Sequence, residues 1–202
     1  MKRAIFLFTA FVTAVFAEND RPETTQAIYS LQPNLFYFGP SVSCMPKNSF
    51  NREYWGIRLG CEYFKPWSYY CGFDFESGCP GGNNPWNYSL NTRLGYTFAT
   101  ENLMLTPFVG TILFGPHYAG VYKYVSGGLR SLITVYSRTD FGVNLTIFTP
   151  LNHRFLSFEE IALPINFHPT NHCDVRFEPY FMDTLDNQWP GFGSRFLIGY
   201  RY

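Results

Sequence analysis

Nothing in this chain is long and apolar enough to cross a bilayer as a helix. The run from Ala4 to Phe16 falls short of the ~20 residues that such a helix needs, and no other stretch reaches that length. Charge is scarce too, at 15% of residues, with 15 Lys and Arg balancing 15 Asp and Glu. No basic surplus points to nucleic acid, and no acidic surplus points to disorder. Motifs for a cofactor or a catalytic centre are also missing, so no cofactor and no enzymatic activity are expected. At 202 residues there is one domain's worth of chain.

What the chain has in quantity is aromatic side chains, 20% of residues. At the start, Lys2-Arg3, the apolar run to Phe16 and small residues at Val15 and Ala17 make residues 1–17 a secretory signal peptide, cleaved after Ala17. Residues 18–33 are polar and show no period, and are expected to form a flexible periplasmic segment. From Asn34 to Tyr202 the dominant pattern has a period of two.

The terminal stretch shows it best. Phe196, Ile198, Tyr200 and Tyr202 share one face, against Arg195, Leu197, Gly199 and Arg201 on the other. Strands of the same kind are expected over Asn34–Ser43, Tyr54–Phe64, Trp67–Glu76, Asn87–Phe98, Leu103–Phe114, Gly128–Val135, Phe141–Thr149, Glu160–Phe167 and Val175–Met182. With the terminal strand these make about ten, each near the ~9 to 11 residues of a tilted membrane strand. Short connections alternate with longer ones rich in Gly, Pro and Asn, as periplasmic turns and outside loops do in a membrane barrel. The expected fold is an all-β, antiparallel, up-and-down transmembrane barrel over residues 34–202. Eight strands is the alternative, if Leu103–Phe114 or Gly128–Val135 is misread. Gly127-Gly128 is expected to bend or bulge the strand that they open, and Pro40, Pro107, Pro164 and Pro179 either to lie at bulges or rims or to mark strand boundaries placed wrongly.

Charges inside the strands decide against a soluble lipocalin-like barrel, which would keep them outside. Arg58, Glu62, Asp74, Glu76, Arg93, Arg130, Arg176, Glu178 and Arg195 lie opposite the aromatic rows, as does Arg201. An unpaired Arg or Lys facing mid-membrane lipid costs roughly 2 to 4 kcal/mol, so this set is expected in the lumen, paired into a charge network. The aromatics at the last and third-last positions resemble the C-terminal assembly signal of Gram-negative outer-membrane β-barrels. The mature chain as a whole resembles small proteins of that class, of the broad opacity-protein kind. The resemblance implies the outer membrane as compartment, its lipid and the barrel-insertion machinery as partners, and Phe196, Ile198, Tyr200 and Tyr202 as the signal. An external ligand is not specified.

The expected function is therefore structural or surface-interacting, with a lumen plugged by charged side chains. A narrow channel for small polar solutes is the first alternative. A lipid or peptide hydrolase is the second, since His117 and His153 share a rim with Glu159, Glu160, Asp74, Glu76, Asp183 and Asp186. His168, His172 and Cys173 fall in a turn, and a solvated turn is expected in preference to a zinc site. Five cysteines is an odd number. Cys61 and Cys71 flank Lys65-Pro66-Trp67 symmetrically on the outward face, where a three-residue loop would set them opposite each other, and Cys44 and Cys79 end neighbouring upward strands. Both pairs are candidate disulfides, with Cys173 left over.

Overall fold

Alternation turns each strand into two rows, and closing the sheet gives the rows an inside and an outside. The computed structural model describes residues 34–45, 52–65, 67–80, 86–116, 120–136, 138–152, 156–185 and 190–201. The leader, the segment over 18–33, His117, His153, Asp186 and Tyr202 lie outside the described residues. The strands are β1 (Leu35–Met45), β2 (Arg52–Phe64), β3 (Ser68–Pro80), β4 (Asn87–Ala99), β5 (Leu103–Pro116), β6 (Tyr122–Tyr136), β7 (Thr139–Pro150), β8 (Phe158–Ala162), β9 (Ile165–Phe167), β10 (Cys173–Thr184) and β11 (Gly191–Arg201). Neighbours in sequence pair antiparallel, and β11 pairs back onto β1 from Leu35↔Arg201 to Cys44↔Phe192. β8 and β9 lie end to end between β7 and β10 and form one stave. The result is a closed, up-and-down barrel of ten staves. Connections at one end run two to five residues and at the other five to seven.

The outward row is apolar and aromatic, with Phe36, Phe38, Trp55, Ile57, Leu94, Val109, Phe196, Ile198 and Tyr200 all exposed. Inward lie the charged and polar residues, together with a smaller apolar group: Leu35, Tyr37 and Leu197 in one cluster, and Phe64, Tyr70, Met104, Phe108 and Leu132 in another. Met104 and Phe108 explain why β5 reads as apolar on both faces.

The prolines fall on breaks in the ladder rather than at bulges or rims. Pro40 lies where β1 and β11 skip from Phe38↔Ile198 to Ser41↔Arg195, and Pro107 where β4 and β5 skip from Gly95↔Phe108 to Phe98↔Leu105. Across that second break the Thr97 and Thr106 hydroxyls bond at 3.2 Å. Pro164 separates β8 from β9, and Pro179 lies opposite the same break, between Phe177↔Ile165 and Tyr180↔Ala162. Single bonds span it on either side, Gly142 N–H to Pro164 O at 2.8 Å and Leu163 N–H to Pro179 O at 2.9 Å. A residue without an N–H is thus placed where no ladder bond is made on that flank.

β6 also departs from expectation. It starts at Tyr122 and runs without a register shift through Gly127-Gly128; the one shift is at the other end, between Thr134 and Tyr136. Gly128 is a close approach instead, since a Cβ there would lie 2.0 Å from Leu145 O.

Candidate functional site

The inward charges meet in the middle of the lumen. Glu62, 1% exposed, takes three arginines from three strands: Arg130, Arg93 at 3.4 Å and Arg176 at 3.3 Å. Arg130 also donates to the Tyr70 hydroxyl at 2.7 Å, and Arg176 Nε to Asn166 Oδ1 at 2.8 Å. One level towards the long-loop end, Asp74 accepts from Arg93 at 2.5 Å, Arg58 at 2.8 Å, Asn91 at 3.3 Å and the Tyr37 hydroxyl. Tyr37 reaches it by lying over Gly60, where a Cβ would stand 2.7 Å from the ring. Glu76 accepts from Ser41 at 2.7 Å and faces Arg58 at 3.7 Å. Arg195 donates to Glu178 and to Glu160, each at 2.7 Å, beneath the ring of Tyr180.

Arg58, Arg93, Arg130, Arg176 and Arg195 thus face Glu62, Asp74, Glu76, Glu160 and Glu178. Such charge-assisted bonds are the strong kind, and here each arginine meets a carboxylate carried by another strand. Within this layer the free space is a cavity of about 20 Å³, lined by Tyr37, Glu62, Arg130 and their neighbours. On the long-loop side the lumen widens into a cup of about 740 Å³. All nine charges expected in the lumen point inward and join the layer. Glu160, placed on the inward row of its strand but grouped with the rim carboxylates, is a tenth. Tyr37, Tyr70, Asn91 and Asn166 complete it; their inward parity was legible, their partners were not.

A second cluster lies at the short-turn end. His168 follows β9 and is buried at 6% exposure, with Nε2 2.6 Å from Asp140 Oδ2 and Nδ1 2.9 Å from Asp174 Oδ1. This replaces the solvated turn expected there. Asp140 also accepts from the Thr134 hydroxyl at 2.9 Å, and Arg201, lying against the ring, donates through Nε to Asp174 at 3.2 Å. The ring is outside the spanning strands. Burial works against its charge and so does Arg201, but the hydrogen bonds to Asp140 and Asp174 outweigh both and hold the pKa above its ordinary value. A raised folded-state pKa gives stabilisation that is complete below the unfolded value of about 6.5 and is lost as pH rises through the folded one. The unfolding midpoint of the refolded barrel should therefore fall as pH is raised from 6 through that range, and His168→Asn should flatten this dependence. Parallel pH profiles for the two proteins would contradict it. No group of His, Cys, Asp and Glu fit to hold a metal ion is found among the described residues.

Cys61 and Cys71 are not opposite each other. Tyr63 pairs with Cys71 and Cys61 with Phe73, and both cysteines are thiols. The turn is centred on Trp67, which adopts φ 54°, with Lys65 N–H bonded to Tyr69 O at 3.1 Å. The register is therefore two residues away from the one that symmetry about Pro66 would give. Cys44 and Cys79 lie on β1 and β3 opposite Glu53 and Trp55 of β2, with that strand between them.

No family model and no curated protein matches the chain. Among solved structures, the transport unit of the autotransporter AIDA-I from Escherichia coli aligns with a TM-score of 0.54 at 10% identity, over 92% of this chain and 92% of that one. The fold is that of an outer-membrane β-barrel. Neisserial surface protein A aligns at a TM-score of 0.43 and 8% identity over 83% of this chain and 96% of its own. Ail, the attachment invasion locus protein of Yersinia pestis, aligns at 0.42 and 12% over 85% and 100%. In this outer-membrane-type barrel, Phe196, Ile198 and Tyr200 lie on the outward face of the closing strand, and Tyr200 pairs with Phe36 on one side and Cys173 on the other.

Proposed function

We propose that this chain is an integral outer-membrane protein with a structural or surface-interacting role, whose lumen is closed to solutes by its own charged side chains. Exposed aromatic and aliphatic residues all round the barrel suit lipid, because a closed sheet leaves no backbone group unpaired at an edge. The long-loop end then faces outward and the short-turn end, with the His168 cluster, faces the periplasm. The single observation that carries the closed lumen is the layer of five arginines and five carboxylates, with about 20 Å³ of free space inside it. Opening a path would strip partners from buried charges, which costs several kcal/mol per ion.

The test is electrical. The purified barrel, inserted in planar bilayers, should give no discrete conductance steps; regular steps of constant size would establish a channel and remove this reading. Export by the leader, contact with outer-membrane lipid and reading of the terminal strand by the insertion machinery belong to the same proposal.

A further inference from the structure

We propose that the cup at the long-loop end binds a lipophilic organic cation, a molecule with a flat apolar body and a positively charged nitrogen. Its volume, about 740 Å³, falls within the roughly 300–1,000 Å³ typical of small-molecule sites. Aromatic rings build much of the wall: Phe148 stacks on Phe158 with centroids 4.4 Å apart, Tyr124 meets Phe158 edge-on at 5.4 Å, and Phe114 of the adjoining β5 extends the same side. Such faces attract cations as well as apolar surface.

The floor carries the complementary charge. Glu76 and Glu160 are its most accessible ionised groups, with side chains 15% and 16% exposed against 8% for Arg195, 9% for Arg93 and 11% for Arg58. Three arginines and four carboxylates are among the described residues that line the cup. Asn91 adds a directional signal. Its Nδ2 donates to Asp74, while its buried Oδ1 has no donor. The opposite amide orientation would set oxygen against the Asp74 carboxylate, so the vacant acceptor is the chemically consistent one, and it calls for a ligand N–H or N⁺.

The rival is an anion, because Arg93 Nε and Arg195 Nε also lack an acceptor. Both guanidinium groups are already committed, Arg93 to Asp74 and Glu62, Arg195 to Glu160 and Glu178 with a tyrosine ring over its face.

The experiment uses the full-length mature barrel in phosphatidylcholine nanodiscs. Berberine, a planar aromatic cation, is titrated by fluorescence, alongside 8-anilinonaphthalene-1-sulfonate as an anion of similar size. Saturable one-to-one binding of berberine is expected, with little saturable binding of the anion. Glu76→Gln should weaken berberine by about tenfold, the order of one charge–charge contact at a partly water-filled site, since the quaternary nitrogen is attracted as a charge and donates no hydrogen bond. Phe158→Ala should weaken it as well, and Glu159→Gln, whose site does not line the cup, should not. Arg58 keeps Asp74 in Glu76→Gln, and heat-modifiable gel migration verifies that each variant is folded. Absence of saturable berberine binding, equal binding by Glu76→Gln and Phe158→Ala, or preference for the anion would each overturn the proposal.

Discussion

Glu62→Ala is expected to lower the stability of the refolded barrel by about 3–5 kcal/mol, the cost of removing one partner from a buried ionic group. Three arginines converge on this carboxylate and none of them is exposed. Arg93 keeps Asp74, but Arg130 is left with the Tyr70 hydroxyl and Arg176 with Asn166. Two cations would then face each other across the lumen with no anion between them. Glu101→Ala, at an exposed site in the turn after β4, should stay within about 0.5 kcal/mol of the parent. Urea midpoints followed by the loss of the fast-migrating gel form distinguish the two. Coincident midpoints would mean that the ion layer contributes nothing to holding the staves together.

The second large effect is expected in cells rather than in the test tube. Replacing Tyr200 and Tyr202 together by serine should leave little or no barrel in the outer membrane, with the product degraded or held in the periplasm. The same double variant refolded in detergent should lose no more than about 2 kcal/mol, the order of one aromatic side chain's burial. Substitution is preferable to deletion here, because Arg201 between them ties β11 to Asp174 and donates its N–H to His172 O at 2.8 Å. Removing it would confound recognition with stability. Equal surface levels of variant and parent would show that the terminal aromatics are not read during assembly.

The staves and their two faces were legible in the sequence because a membrane barrel imposes a strict rule: apolar outside, charge inside. Where the rule is locally reversed, the reading failed. In the first half of β6, Tyr122 and Tyr124 are the less exposed and Lys123 and Val125 the more exposed, so the alternation carries the wrong sign and the strand was begun six residues late. The cysteine register failed for another reason. One residue of displacement in a tight turn shifts every cross-strand partner by two, and the left-handed conformation of Trp67 could not be read from its identity. The His168 cluster is a third case. Parity places Asp140 and Asp174 inward at the same end of β7 and β10, the two strands that flank the β8–β9 stave, but period says nothing about a turn folding back over the mouth to set an imidazole between them.

The break at Pro164 has a mechanical consequence. Opposite it, the ladders of β7 and β10 are interrupted at the same height, so one segment of the wall is joined there by two single bonds instead of continuous pairing. A stave interrupted in this way is two short levers and not one stiff beam. The upper lever carries Phe158 and Glu160, and the lower carries Asn166 and leads into His168. Lateral strain on the wall is expected to concentrate at this joint, where pairing is thinnest, before it reaches the charged layer beneath.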